Sequence, residues 1–370
     1  MIYFDNAANS IVDKRVLDDF VKVTEDYIAN PNSTHVLGLS AKNIIDESSI
    51  NIAKYFNTDK DNIIYTSGSS EANNLVIKGV YEAKKNIGNH IIISTLEHSS
   101  IVAPSNYLAD NGAEVSIIDI KSDGSVDIDK LKELITDKTI LISISSVDSE
   151  LGTIINLDEV KKLVKDYPNI TLHTDATQAI GKVNIDFEGF DLITFAPHKF
   201  YGLNGCGVLV NKGNVNLIPL IHGGKSTTVY RSGTPVPALI SSISTALDLA
   251  INNLNDRIEY VGKLKSYLIS ELSKLDYVHI NTINNSIVHT LNFSLIGYSA
   301  KNVIESLSNE GICVSSASAC SMGGPSRSVL ALTKDVNLAS NTIRISLSHT
   351  NTLEEINIFL DKFKEIINNL

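Results

Sequence analysis

The chain has 370 residues, 43% of them hydrophobic and 20% charged, with 42 acidic against 31 basic side chains and a formal charge of −11. That mixture excludes a disordered chain, and the acidity excludes nucleic-acid binding by broad phosphate neutralisation. The length is too great for one compact core and suits two domains.

The chain starts Met1-Ile2-Tyr3-Phe4-Asp5, with neither a basic start nor an apolar signal core, so export is not expected. No apolar run approaches the roughly 20 residues that span a bilayer, so no membrane partner is expected. Cys206, Cys313 and Cys320 are irregularly spaced and form no C-x-x-C pair. A disulfide framework or metal site is therefore not expected, and a reducing cytoplasm fits.

In chain order, 62–66, 90–94, 113–118, 139–144, 170–174, 191–195 and 207–210 read as buried strands. Helical patterns at 128–136 and 157–167 lie between them. Continuous apolar strands separated by helices predict a mostly parallel sheet covered on both faces. After about residue 255 the style changes: a long amphipathic stretch (256–275), a strand at 289–293, a helix at 300–309, two short strands and a C-terminal helix (353–367) predict a smaller α+β unit.

Sites in such sheets gather at the carboxyl ends of the strands. There the sequence places Ser67-Gly68-Ser69-Ser70, Glu97-His98, Asp175 and His198-Lys199. Small residues opening a helix at Ser69 and Ser70 suit an anion, although a plain serine cap reads the same way. Asp175 can pair with a cationic ring nitrogen or cap a helix. Lys199, just after a buried strand, loses solvation and becomes a better Schiff-base former, unless its ammonium snorkels to water. Cys320 sits in the small-residue stretch 315–325, which reads as a loop, where a thiol can serve as nucleophile or be incidental.

Their order adds to these separate signals. Tyr3-Phe4-Asp5-Asn6-Ala7-Ala8, Asn30-Pro31-Asn32-Ser33-Thr34-His35, the segment 66–74, Glu97-His98, Asp175-Ala176-Thr177-Gln178, His198-Lys199, Arg231-Ser232-Gly233-Thr234, Ser318-Ala319-Cys320-Ser321 and Ile343-Arg344-Ile345-Ser346-Leu347 follow one another along nearly the whole chain. That set resembles the class V aminotransferase-like enzymes that use pyridoxal 5'-phosphate (PLP), and within them the cysteine desulfurases, closest to those of Firmicute type.

The resemblance implies an α/β PLP-dependent transferase of fold type I. A mostly parallel seven-stranded sheet sandwiched by helices would form a large PLP-binding domain over 16–255. A smaller α+β domain, 1–15 with 256–370, would carry the cysteine loop. It implies that Lys199 holds the cofactor and moves protons, that Asp175 pairs with the ring nitrogen, that Gln178 bonds the phenolic oxygen, and that His98 stacks on the ring as an acid or base. Ser69, Ser70 and His198 would hold the phosphate, with Thr234 reaching across a homodimer. Arg344 would clamp the substrate carboxylate near Ser149. Cys320 would take sulfur from L-cysteine as a persulfide, leaving L-alanine, and hand it to an acceptor protein of the scaffold or tRNA-thiolation kind.

The chain also departs from the family pattern near the cofactor. The usual Asn-Asn-Glu-x-Gly is Asp148-Ser149-Glu150-Leu151-Gly152, and the usual serine before the Pro-His-Lys run is Ala196. The usual Gly-Gly-Gly-Gln/His-Glu is Gly223-Gly224-Lys225-Ser226-Thr227, Ala-Ala-Thr-Thr is Ala7-Ala8-Asn9-Ser10, and the stretch from Cys320 to Pro325 is a residue or two shorter. One hydrogen bond to a charged phosphate is worth roughly 1.5–3 kcal/mol. The changes thus leave two other readings: a related PLP lyase or aminotransferase acting on another amino acid such as selenocysteine, and a catalytically degenerate paralogue.

Overall fold

A computed structural model describes residues 1–224, 226–316 and 324–370. Cys320 and Lys225, both singled out in the sequence, lie outside the described residues.

Strand β1 (Ile2–Tyr3) opens the chain. Strands β2 (Ile63–Thr66), β3 (His90–Ser94), β4 (Glu114–Ile118), β5 (Thr139–Ser143), β6 (Thr171–Asp175), β7 (Leu192–Phe195) and β8 (Gly207–Asn211) form one sheet in the order β2-β8-β7-β6-β5-β3-β4. β4, β3, β5, β6 and β7 are mutually parallel, and β8 runs against both of its neighbours. The expected mostly parallel sheet of seven strands is what forms.

Alternation along each strand sends side chains into two apolar layers. Ile92, Ile142, Leu172, Ile193 and Val208 face one layer, closed by Ile52 of the helix Val36–Tyr55 and Leu247 of the helix Pro237–Asn252. Ile91, Ile93, Leu141, Leu192 and Leu209 face the other, under the helices Ser69–Lys84 and Ser99–Asp110. Burial on both faces explains why these strands read as unbroken apolar runs.

Two element ends differ from the sequence expectation. Asp175 is the last residue of β6, paired with Thr194, and does not follow the strand. The helix expected over 157–167 spans Asp158–Val164, since Pro168 disfavours helical backbone in the residue before it.

Strands β9 (Val278–Ile280), β10 (Thr290–Leu295), β11 (Ile312–Cys313) and β12 (Thr342–Ser346) follow among the described residues. β10 lies between β12 and β9, antiparallel to both, and β1 pairs in parallel with β11. A separate apolar cluster joins Ile2 and Phe4 to Val261, Phe293, Ile345 and Phe359. A parallel bridge between Asp5 and Ser346 lays the first residues of the chain along β12, and so sets Asp5 near Arg344.

Candidate active site

The carboxyl ends of β2, β6 and β7 open onto a cavity of about 390 Å³. Ser69, Ser70, His98, Ser149, Asp175, Gln178, His198, Lys199 and Arg344 all line it, so nine residues chosen from sequence meet in one place. Thr234 is exposed and is not among the lining residues.

Beyond Thr66 the chain turns through Ser67 and Gly68 into the helix Ser69–Lys84, whose first residues, Ser69 and Ser70, line the cavity. The turn is tied by Ser67 N–H donating to Glu71 Oε2 (2.7 Å), while Arg231 Nε donates to Glu71 Oε1 (3.0 Å). A Cβ on Gly207 would stand 2.4 Å from the Gly68 carbonyl carbon, so a glycine at the start of β8 is what lets this turn sit against the sheet. Free helix N-terminal N–H groups beside two serine hydroxyls form an anion cradle.

Asp175 is 7% exposed. Its Oδ1 accepts from Thr177 N–H (2.9 Å) and its Oδ2 from Asn73 Nδ2 (2.8 Å). Beyond β7, the short turn Pro197–Lys199 presents Lys199, whose Nζ donates to the carbonyls of Ala7 (3.0 Å) and Ala8 (2.6 Å). Burial, then the charges of Lys199 and Lys182, push the His198 imidazole down to about 4. Burial likewise pushes His98 below its ordinary value, with Asp175 opposing and Lys199 reinforcing the shift.

Arg344 is 1% exposed. Its Nη2 donates to Asp5 Oδ1 (2.8 Å) and its Nη1 to the Ser149 carbonyl (2.9 Å). Ser149 thus supports the guanidinium through its backbone. Gln178 is held at both ends, donating from Nε2 to the Ala7 carbonyl (3.0 Å) and accepting from Lys182 at Oε1.

Four residues at the site were not singled out individually from sequence. Lys182 is buried, and burial plus the neighbouring Lys199 and Arg344 charges lower its ammonium to about 7. Asn73 is fully buried between Asp175 and Ser100. Glu97, 4% exposed, accepts from Ser94 Oγ, Ser145 N and Ser145 Oγ. Asp5 stands only in the opening run. Charge in an apolar context was the available signal for Lys182, in Ala179-Ile180-Gly181-Lys182, and nothing local marked Asn73.

A buried carboxylate, a lysine, an anion cradle and an arginine around one cavity can hold a phosphorylated cationic ring and an amino acid together. The chain belongs to the Aminotransferase class-V family, whose profile matches residues 2–359. It is a PLP-dependent enzyme, and the donor set fits that cofactor: Asp175 for a ring nitrogen, the Ser69–Ser70 cradle for a phosphate, and Lys199 for the aldehyde.

Among relatives, a protein of Dictyoglomus turgidum named cysteine desulfurase IscS is 36% identical over 100% of this chain and 95% of its own length. Another of that name from Clostridium botulinum is 33% identical over 99% of this chain and 94% of its own. A solved structure described as a NifS-like protein superposes with a TM-score of 0.94 at 32% identity, covering 100% of both chains. SspA in complex with cysteine superposes with a TM-score of 0.82 at 29% identity, over 94% of this chain and 99% of that one.

Proposed function

We propose that the protein is a cysteine desulfurase. It would convert L-cysteine to L-alanine while Cys320 takes the sulfur as a persulfide for an acceptor protein. The observation that carries this reading is the meeting of Lys199, Asp175, His98, the Ser69–Ser70 cradle and Arg344 on one cavity, in a chain similar end to end to proteins of that name.

The bound cofactor supplies an electron sink for the bonds of the substrate's α-carbon. Lys199 would hold it and afterwards carry protons at Nζ, while Asp175, kept as an acceptor by two donors, would pair with the ring nitrogen. Ser69, Ser70 and His198 would hold the phosphate. Gln178, its amide oriented by Ala7 and Lys182, would bond the phenolic oxygen. Arg344, braced by Asp5 and Ser149, aligns the substrate carboxylate by paired N–H donors. The Cys320 thiolate forms the new S–S bond as the substrate C–S bond breaks. Cysteine and the enzyme thiol together become alanine and the enzyme persulfide, and a thiol reductant then releases sulfide.

This reading takes the chain as a cytoplasmic homodimer with Thr234 directed at the partner's phosphate. Leu39 lines a second cavity with Ser226, Thr227 and Pro235, and Val36, Leu37, Val229 and Val236, near these residues in sequence, are exposed, which suits a partner surface close to Thr234. The same reading divides the chain into 16–255 and 1–15 with 256–370, supported by the separate cluster of Ile2, Phe4 and residues beyond Val261.

The test is alanine and sulfide release from L-cysteine with a thiol reductant, for wild type and Cys320→Ala. Equal amounts of both products from wild type, lost in a variant that keeps the visible absorption of bound cofactor, are expected. No release from cofactor-loaded wild type would refute the activity, and full turnover by Cys320→Ala would refute the thiol's role.

A further inference from the structure

His98 is the N-cap of the helix Ser99–Asp110, and it caps with its ring. The backbone N–H of Ser100 donates to His98 Nδ1 (3.2 Å), and the Ser100 hydroxyl lies 2.8 Å from the same nitrogen. A backbone N–H can only donate, so Nδ1 must carry a lone pair there.

The hydroxyl's direction follows from its other neighbour. Asn73 Nδ2 donates to Asp175 Oδ2 and to Ser100 Oγ, both at 2.8 Å, while Asn73 Oδ1 accepts from Thr194 Oγ1 at 2.5 Å. A carboxylate oxygen and a hydroxyl proton on either side of the amide fix its orientation. Ser100 Oγ therefore accepts a hydrogen bond from Asn73 and has its own proton left to donate to Nδ1. Beyond Thr194 the order continues: His173 Nε2 lies 3.1 Å from Thr194 Oγ1, and His173 Nδ1 lies 2.8 Å from Ser143 Oγ. With Thr194 donating to Asn73, His173 must donate from Nε2 and accept at Nδ1.

We propose that Asn73 and Ser100 are positioning residues that hold His98 as a neutral imidazole with its single proton on Nε2, so that toward the cavity His98 donates a hydrogen bond and accepts no proton. Protonation at Nδ1 would set the new N–H against the Ser100 backbone N–H and leave the Ser100 hydroxyl proton without an acceptor. The positive end of the 12-residue helix disfavours an imidazolium at the same place. The charged groups facing the ring are Asp175 and Glu150, which favour the cation, and Lys199 and Arg327, which oppose it; burial is the largest single influence and also opposes the cation. Proton acceptance over the substrate then falls to Lys199 in place of the acid-or-base role that the resemblance gave His98.

This assignment rests on the cofactor placement proposed above, and its test reads the imidazole itself. Holoenzyme labelled with ¹⁵N in its histidine rings is studied by solid-state NMR from about pH 6 to 8, with His98 identified by the signals lost in His98→Gln. A protonated-type Nε2 and an unprotonated-type Nδ1 are expected across the range. In Ser100→Ala the titration midpoint of His98 should rise, and Ser100→Thr, which keeps the hydroxyl, should restore it. Asn73→Ala should raise it also by freeing Ser100 Oγ to accept; should that variant not fold, Ser100→Ala decides. A protonated Nδ1 in wild type, or an unchanged midpoint in Ser100→Ala, overturns the proposal. Visible absorption of each sample reports cofactor binding separately, so a failure of the cofactor reading is seen without the ring spectrum.

Discussion

Replacing Glu97 by Gln isolates the effect of one buried carboxyl beside the site. Burial pushes this group from its ordinary 4.5 up to about 7, against the hydrogen bonds from Ser145 and Ser94 and aided by the Asp175 charge. A carboxyl whose pKa is raised on folding contributes stability that is complete below 4.5 and is lost as pH rises through about 7. The interval corresponds to about 3 kcal/mol at most. Gln fits the same bonds: Oε1 still accepts from Ser94 Oγ and Ser145 N, and Nε2 donates to Ser145 Oγ, which need only reverse its proton. Urea unfolding of cofactor-free protein, followed by circular dichroism from about pH 5 to 8, should show variant and wild type close at the acid end. The variant should gain up to about 3 kcal/mol over wild type at the alkaline end. Identical pH slopes would mean that Glu97 is ionised throughout, and the burial argument would fail.

Asp5→Ala leaves the guanidinium of a 1%-exposed Arg344 without its counter-charge. A loss of about 2 kcal/mol in thermal-melt stability is expected, since Asp5 is itself partly solvated, with a rise in KM for L-cysteine exceeding any fall in kcat. Gly207→Ala puts a methyl 2.4 Å from the Gly68 carbonyl carbon; displacement of the cradle should weaken PLP retention about tenfold or more, read by dialysis and visible absorption. Asp175→Ala should retain some cofactor yet lose activity by at least ~10²-fold, and full activity would refute its pairing with the ring nitrogen. Lys199→Ala should abolish the visible absorption of lysine-bound cofactor, and an unchanged spectrum would refute its attachment there.

Most of the sheet was legible because its strands are buried on both faces and show as apolar runs between helices. The site was legible wherever a polar residue ended such a run, as at Asp175 and Lys199. Long-range pairing was not: Asp5 and Arg344 lie 339 positions apart, and the backbone contact that brings them together is an isolated bridge between Asp5 and Ser346. Asn73 was hidden for another reason. In the helix Ser69–Lys84 it reads like its neighbour Asn74, and only burial against β6 and β7 separates the two. The roles of Gln178 and Ser149 also needed the packing, since Lys182 takes the side chain of one and Arg344 the backbone of the other.

The turn Asp148–Leu151 does more than brace Arg344. Ser326 Oγ donates to Glu150 Oε2 and Ser328 Oγ to Asp148 Oδ1 (2.8 Å), so the chain after the cysteine segment is moored to the turn that steadies the clamp. On the other side, the Ser316 carbonyl accepts from Thr342 Oγ1 (2.5 Å) on β12. Ser316 and Ser326 are thus tied to the same strand and the same turn that hold Arg344. A substitution that shifts Glu150 or Thr342 therefore acts on the guanidinium clamp and on one of these anchors at once.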